Sequence, residues 1–262
     1  MIKQCIQSLL GTIGLEIRKI DEYAFLGYDL EKEADELIHK IRPYTMLSRQ
    51  RLISLYQQVF FCEKHNIPGC FIECGVWKGG AVALMALANM KNSKTPRIIH
   101  LFDIFQEICE PDASVDGERA VSEVAKWAKG GSTGKLEPIQ GVYDLFGGPG
   151  SLEENRELME KNIGYNPMFL HYHKGWFQET LPRDINGIGE IAILRLDGDW
   201  YASTKICLEY LYDKVVAGGF IIIDDYGAYE GCRKAVDEFM LERGVSAFLN
   251  YIDSEAKYWI KN

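Results

Sequence analysis

Short apolar runs alternate with helical stretches through most of this chain, and each run ends in an acid or a glycine. The runs cover residues 70–75, 98–103, 191–197 and 220–224. Residues 79–90 are Ala-rich and helical in pattern, 203–216 and 232–242 are helical, and 248–260 can hold one or two last strands. Gly218-Gly219 is expected to stop the helix that precedes it. Strand–helix–strand alternation pairs strands in parallel through right-handed crossovers. Near-continuous apolar strands need cover on both faces of the sheet. An α/β fold follows, with helices on both sides of a mostly parallel sheet. Ligands bind outside the carboxyl ends of such strands, which is where this chain places its acids and glycines.

The flanking segments read differently. Residues 21–66 are helical in pattern, notably 30–41 and 47–65, and form an expected N-terminal helical extension (1–66) before the α/β domain (67–262). Residues 104–169 carry Gly130-Gly131-Ser132-Thr133-Gly134 and Gly147-Gly148-Pro149-Gly150 between helical pieces. That stretch is expected to be a lid inserted over the site. Within it, Ser151-Leu152-Glu153-Glu154 supplies a capping box for a helix through residue 161. At the start, Ile2, Ile6, Leu9, Leu10, Ile13 and Ile17 recur near helical spacing. They suit a helix packed on its own domain, or an amphipathic arm on another subunit or a membrane surface. The uncharged stretch there is too short to span a bilayer, and no small-residue cleavage site follows it.

Composition narrows the class. The chain has 29 Lys+Arg against 38 Asp+Glu, a net charge of −9, which argues against a nucleic-acid partner. Apolar residues at 47% and charged residues at 26% match an ordinary soluble globular protein. The seven cysteines are scattered without metal-like spacing, as expected of reduced thiols in a cytoplasmic protein. A membrane partner is not expected.

Two constellations carry chemistry. In Glu73-Cys74-Gly75-Val76-Trp77-Lys78-Gly79-Gly80, glycines at a strand-to-helix turn let backbone approach a ligand closely. Glu73 could pair with a ligand's ammonium group, and Asp103 on the next strand could accept ribose hydroxyls. Solvated strand ends are the bland alternative. The second constellation is Asp197-Gly198-Asp199 with Asp224-Asp225, four carboxylates brought to one sheet edge. Like charges 4 Å apart repel by about 4 kcal/mol at an effective dielectric near 20. Such a cluster protonates, spreads or holds a cation. An oxygen-only donor set suits a hard ion such as Mg²⁺. Around these, Gly175-Trp176-Phe177 could wall an adenine pocket. Thr45, Met46 and Arg49 could close it from the N-terminal side. His171 and His173 are as plausible in packing as in catalysis.

Taken together these segments resemble the macrocin O-methyltransferase family. The resemblance spans about residues 43–242 and rests on five segments: Tyr44-Thr45-Met46, the glycine turn, Gly175-Trp176-Phe177 through Leu181-Pro182, Leu196-Asp197-Gly198-Asp199, and Gly218-Gly219 with Asp224-Asp225. It implies a class I methyltransferase, Rossmann-like three-layer sandwich whose seven-stranded sheet has an antiparallel last strand. It implies S-adenosylmethionine and Mg²⁺ as cofactors and a sugar hydroxyl as acceptor. By analogy Asp197, Asp224 and Asp225 match metal ligands and Asp199 a general base. Thr45, Met46, Glu73, Gly75, Asp103, Gly175, Trp176, Phe177 and Asp197 fall at cofactor positions. Related enzymes form dimers or tetramers, so a homo-oligomer is expected. The chain departs from the family after Asp103, where Ile104-Phe105-Gln106-Glu107 replaces the usual Ser/Thr-Phe-Glu-Gly. Two other classes stay open on residues alone. One is an NAD-linked sugar oxidoreductase using Tyr210 and Lys214. The other is a non-catalytic nucleoside-binding fold.

Overall fold

A computed structural model describes residues 29–128, 131 and 133–262. The amphipathic arm of residues 2–17, Cys5, Gly130 and Ser132 lie outside the described residues. Residues 34–262 form one compact unit. The described helical residues 34–64 belong to the same unit as the sheet.

Two helices lead in, α1 (Asp29–Ile41) and α2 (Arg49–Lys64). Ser48 caps α2, its hydroxyl accepting the Arg51 amide at 3.2 Å. The alternating core follows: β1 (Cys70–Cys74), α3 (Gly80–Asn92), β2 (Ile99–Asp103), α4 (Gly117–Trp127), α5 (Leu152–Arg156), β3 (Leu170–Lys174), α6 (Phe177–Asp184), β4 (Ile191–Leu196), α7 (Tyr201–Leu211), β5 (Val215–Ile223), α8 (Glu230–Glu242), β6 (Asn250–Tyr251) and β7 (Lys257–Ile260). The sheet order is β3-β2-β1-β4-β5-β7-β6. Strands β1 to β5 run parallel and β7 lies antiparallel against β5. This is the seven-stranded, three-layer α/β fold expected from the sequence. Every residue of β1 and β4 is buried, as a doubly covered sheet requires.

Three boundaries differ from the sequence reading. The helix expected to run to residue 216 ends at Leu211, and Val215-Val216-Ala217 open β5 instead. Gly218-Gly219 thus sit inside a strand. Between pairing Ile191 with Val215 and Ile193 with Phe220, β5 uses five residues where β4 uses two. The bulge bends through Gly218 at φ +82°. Second, β3 is a strand that polar His171, Tyr172 and His173 conceal, because it sits at the sheet edge. Third, the capping box forms as read, but the helix widens into a π-turn over Glu157–Asn162.

The six described cysteines are all buried and free. Among the described residues no helix is long and apolar enough to cross a membrane.

Candidate active site

The carboxyl ends of β1, β2 and β4 meet at Gly75. Its φ is +91°, and a Cβ built there would stand 1.7 Å from the Asp197 carbonyl oxygen, so no other residue fits. The Gly75 amide donates to Phe102 O at 2.9 Å and the Asp197 amide to Cys74 O at 2.8 Å. These two bonds extend the ladders one residue beyond the strands and fix the crevice floor. Asp103 then ties down the turn. Its Oδ2 accepts the amides of Val76 (2.6 Å) and Trp77 (3.1 Å), and its Oδ1 that of Phe105. Burial raises the Asp103 pKa and those amides oppose the rise.

Above this floor lie two adjoining chambers. The first, of about 580 Å³, is lined by Gly75, Asp103, Ile104, Gly175, Trp176 and Phe177 among others. The second, wider at about 1010 Å³, is lined by Met46, Arg119, Trp127, Phe146 and Tyr229 among others. Gly75, Trp77, Asp103, Ile108, Tyr143, Asp197, Asp199 and Trp200 border both. The shared wall is where a group could pass from one bound molecule to another.

Asp199 is aimed by its backbone. It adopts φ +59°, a left-handed conformation that Asp tolerates better than most residues, and its amide donates to Asp225 Oδ2 at 3.2 Å. The following residues are anchored: the Trp200 indole donates to Cys109 O at 3.0 Å and the Tyr201 amide to Asp116 Oδ1 at 2.7 Å. Asp116, buried in the loop before α4, thereby caps α7 from the 104–169 segment.

Asp197, Asp224 and Asp225 converge. One oxygen from each lies within 4.8 Å of the others. What the sequence reading missed is that two guanidinium groups already share this cluster. Arg195, wholly buried on β4, donates Nη1 to Glu73 Oε1 and to Asp197 Oδ2 (2.7 Å), and Nη2 to Asp224 Oδ1. Arg51, from α2, donates Nη1 to Asp224 Oδ2 at 2.5 Å. Five carboxylates, counting Glu73 and Asp199, still face only two guanidiniums. Burial, then the neighbouring carboxylates, push Asp199 and Asp225 well above the ordinary carboxylate range. Burial lifts Asp224 to about 6 against the pull of Arg195 and Arg51.

The other expected residues are placed as follows. Glu73 is buried beneath the crevice and lines neither chamber; its partner is Arg195 rather than a ligand's ammonium group. Its Oε2 has no hydrogen-bond partner, and burial raises its pKa to about 8 despite Arg195. Thr45 accepts the Leu47 amide at 3.1 Å and backs Gly80, while Met46 reaches the second chamber, 48% exposed. Arg49 pairs with Asp35 at 2.6 Å instead of closing the crevice. His173 lies between Asp184 (2.7 Å) and His100 (2.9 Å), stacked on Phe102, and neither it nor His171 lines the crevice. Lys214 donates to Ile188 O at 2.7 Å, before β4 and at the opposite end of the sheet, so Lys214 lies away from this crevice.

A sequence model of macrocin-O-methyltransferase (TylF) matches residues 28–131 and 151–261. The chain belongs to this O-methyltransferase family. Demethyldecarbamoylnovobiocin O-methyltransferase of Streptomyces niveus is 33% identical over 216 residues, 82% of this chain and 75% of that one. A tetracenomycin-rhamnosyl 4'-O-methyltransferase of Streptomyces olivaceus is 30% identical over 237 residues, covering 88% and 82%. The solved structure of the O-methyltransferase NovP superposes with a TM-score of 0.67 at 32% identity, covering 84% of this chain and 82% of that one. An O-methyltransferase from Bacillus cereus, solved in complex with SAH, shares the fold at 10% identity, with a TM-score of 0.51. The match to the macrocin-O-methyltransferase family skips residues 132–150, part of the expected lid. That stretch supplies Leu136, Val142, Tyr143 and Phe146 to the chambers. It is strapped to the glycine turn: the Trp77 indole donates to Gly148 O at 3.2 Å and Lys78 Nζ to Phe146 O at 2.9 Å.

Proposed function

We propose that this protein transfers a methyl group from S-adenosylmethionine to a sugar hydroxyl of a glycosylated natural product or related small molecule, with Mg²⁺ bound at the acid cluster. The observation that carries this reading is the position of Asp199. It stands in the wall common to the two chambers, beside Asp197 and Asp225. The names of two relatives, O-methyltransferases of demethyldecarbamoylnovobiocin and of a rhamnosyl-tetracenomycin, support this choice of acceptor class.

The donors fit the cation. They are all carboxylate oxygens within 4.8 Å, and their negative charge exceeds what Arg195 and Arg51 neutralise. Asp197, Asp224 and Asp225 would hold it. When bound, Mg²⁺ supplies positive charge that makes a nearby hydroxyl more acidic and quiets repulsion among the carboxylates. The remaining work belongs to the chain. Three of the about four lone-pair sites of Asp103 accept backbone amides, which leaves one for a ribose hydroxyl, and in the first chamber Ile104, Trp176 and Phe177 offer apolar contact to a base. Gly75 lets the donor lie close to the backbone. Asp199 takes the proton of the acceptor hydroxyl as its oxygen attacks the methyl carbon, and burial strengthens it as a base. The sulfonium loses its charge as the methyl group leaves, so the aromatic walls assist by excluding water. Holding oxygen and methyl carbon about 3–3.5 Å apart supplies the rest.

Calorimetry tests the reading. S-adenosylhomocysteine should bind the wild-type protein and NAD⁺ should not. Asp103→Ala should weaken S-adenosylhomocysteine at least about tenfold, the loss of a charged hydrogen bond. Saturable NAD⁺ binding without S-adenosylhomocysteine binding would return the chain to the oxidoreductase reading.

A further inference from the structure

Both oxygens of Asp224 are occupied by guanidinium groups, Oδ1 by Arg195 and Oδ2 by Arg51. The two arginines are differently held. Arg195 is enclosed by Glu73, Asp197 and Asp224 and is 2% exposed, with no acid outside the cluster to turn to. Arg51 has such acids. Its Nε donates to Asp253 Oδ2 at 2.8 Å and its Nη2 to Glu255 Oε2 at 2.6 Å. Both lie on the turn between β6 and β7, outside the cluster. Asp253 is a fixed anchor, accepting the Ser48 hydroxyl at 2.7 Å and the amides of Glu255 (3.0 Å) and Ala256 (2.9 Å). Glu255 in turn accepts Arg119 of the second chamber at 2.8 Å.

We infer that Arg51 is the resident counter-cation of the acid cluster and competes with the divalent ion for Asp224. Without the ion, its guanidinium neutralises the carboxylate. When the ion arrives, like charges repel, and Arg51 keeps its bonds to Asp253 and Glu255 while giving up Asp224. A carboxylate has about four lone-pair sites, so Asp224 can turn one toward the ion while Arg195 still holds it. The inference rests on the Mg²⁺ reading above, and it gives Arg51 a positioning role rather than a catalytic one.

Mn²⁺ is the probe, with the free ion read by electron paramagnetic resonance and no acceptor or turnover required. Arg51→Gln removes the competing charge and should tighten Mn²⁺ about tenfold. Arg51→Lys keeps the charge and should stay within about twofold of wild type. Glu255→Gln, at a partly exposed site, removes one of the anchors that draw Arg51 away and should weaken Mn²⁺ about threefold. Wild-type or weaker affinity in a folded Arg51→Gln protein overturns the inference. If Arg51→Gln fails to fold, Glu255→Gln decides alone: unchanged or tighter binding overturns it. Mn²⁺ binding by wild type with no effect of these variants sinks this inference only, whereas no Mn²⁺ binding by any of the proteins sinks the metal reading with it.

Discussion

Replacing Asp199 with asparagine should lower kcat by about a thousandfold, within the range for a lost general base. The change keeps the side chain's size, and Asn also tolerates the left-handed backbone that residue 199 adopts at φ +59°. The amide bond to Asp225 is made by the backbone of residue 199 and survives. Asp199 borders the first chamber without being needed to hold a nucleoside, so the Kd for S-adenosylhomocysteine should move less than about twofold, the pattern of a group used only in the transition state. Steady-state rates and calorimetry on the same preparation check both halves. Retention of a tenth of the wild-type rate would remove Asp199 from the mechanism. A large loss of cofactor affinity would make it a binding residue instead.

The second large effect is on stability. Arg195→Met should cost about 3–5 kcal/mol, because it leaves carboxylates buried without their counter-charge. Glu73 suffers most. It is 1% exposed, its Oε1 bonds only to Arg195, and its Oε2 has no partner. For a domain of this size the loss lowers Tm by about 10 °C. Arg195→Lys should recover little, since a single ammonium cannot reach Glu73, Asp197 and Asp224 through separate nitrogens. Adding Glu73→Gln to Arg195→Met should restore part of the loss, because a neutral amide is less costly to bury than a lone charge. Thermal unfolding followed by circular dichroism reads all three proteins. A Tm within about 2 °C of wild type for Arg195→Met would show that the network contributes nothing net, as some buried ion pairs do.

The parts of the fold visible in the sequence were those that bury on both faces. Strands β1, β2 and β4 are apolar runs bounded by Gly or Asp, and burial of that kind leaves a local signature. Edge strand β3 needs only one covered flank, so its histidines hid it. The opening of β5 was hidden for another reason: a bulge permits Gly218-Gly219 within a strand, and local pattern reads that pair as a helix stop. At the site, the acids were legible because strand ends in a parallel sheet share one edge. Their counter-charges were not. Arg195 lies within an apolar run that gives no local sign of its partners, and Arg51 reaches Asp224 across 173 positions of chain. Neither Asp116 under α7 nor Tyr143 between the chambers has a periodic signal, because each is placed by loops.

The proposed function turns on the carboxylates at the ends of β4 and β5 holding a cation that serves methyl transfer at Asp199. The most direct measurement strips the protein with EDTA and incubates it with S-adenosylmethionine and demethyldecarbamoylnovobiocin or related glycosides. Methylated product is then scored by mass, with and without added Mg²⁺. Product that forms only after Mg²⁺ is restored, and that Asp225→Asn fails to form, is the expected result. Equal yields from the stripped and the Mg²⁺-supplied enzyme would contradict the assignment of Asp197, Asp224 and Asp225.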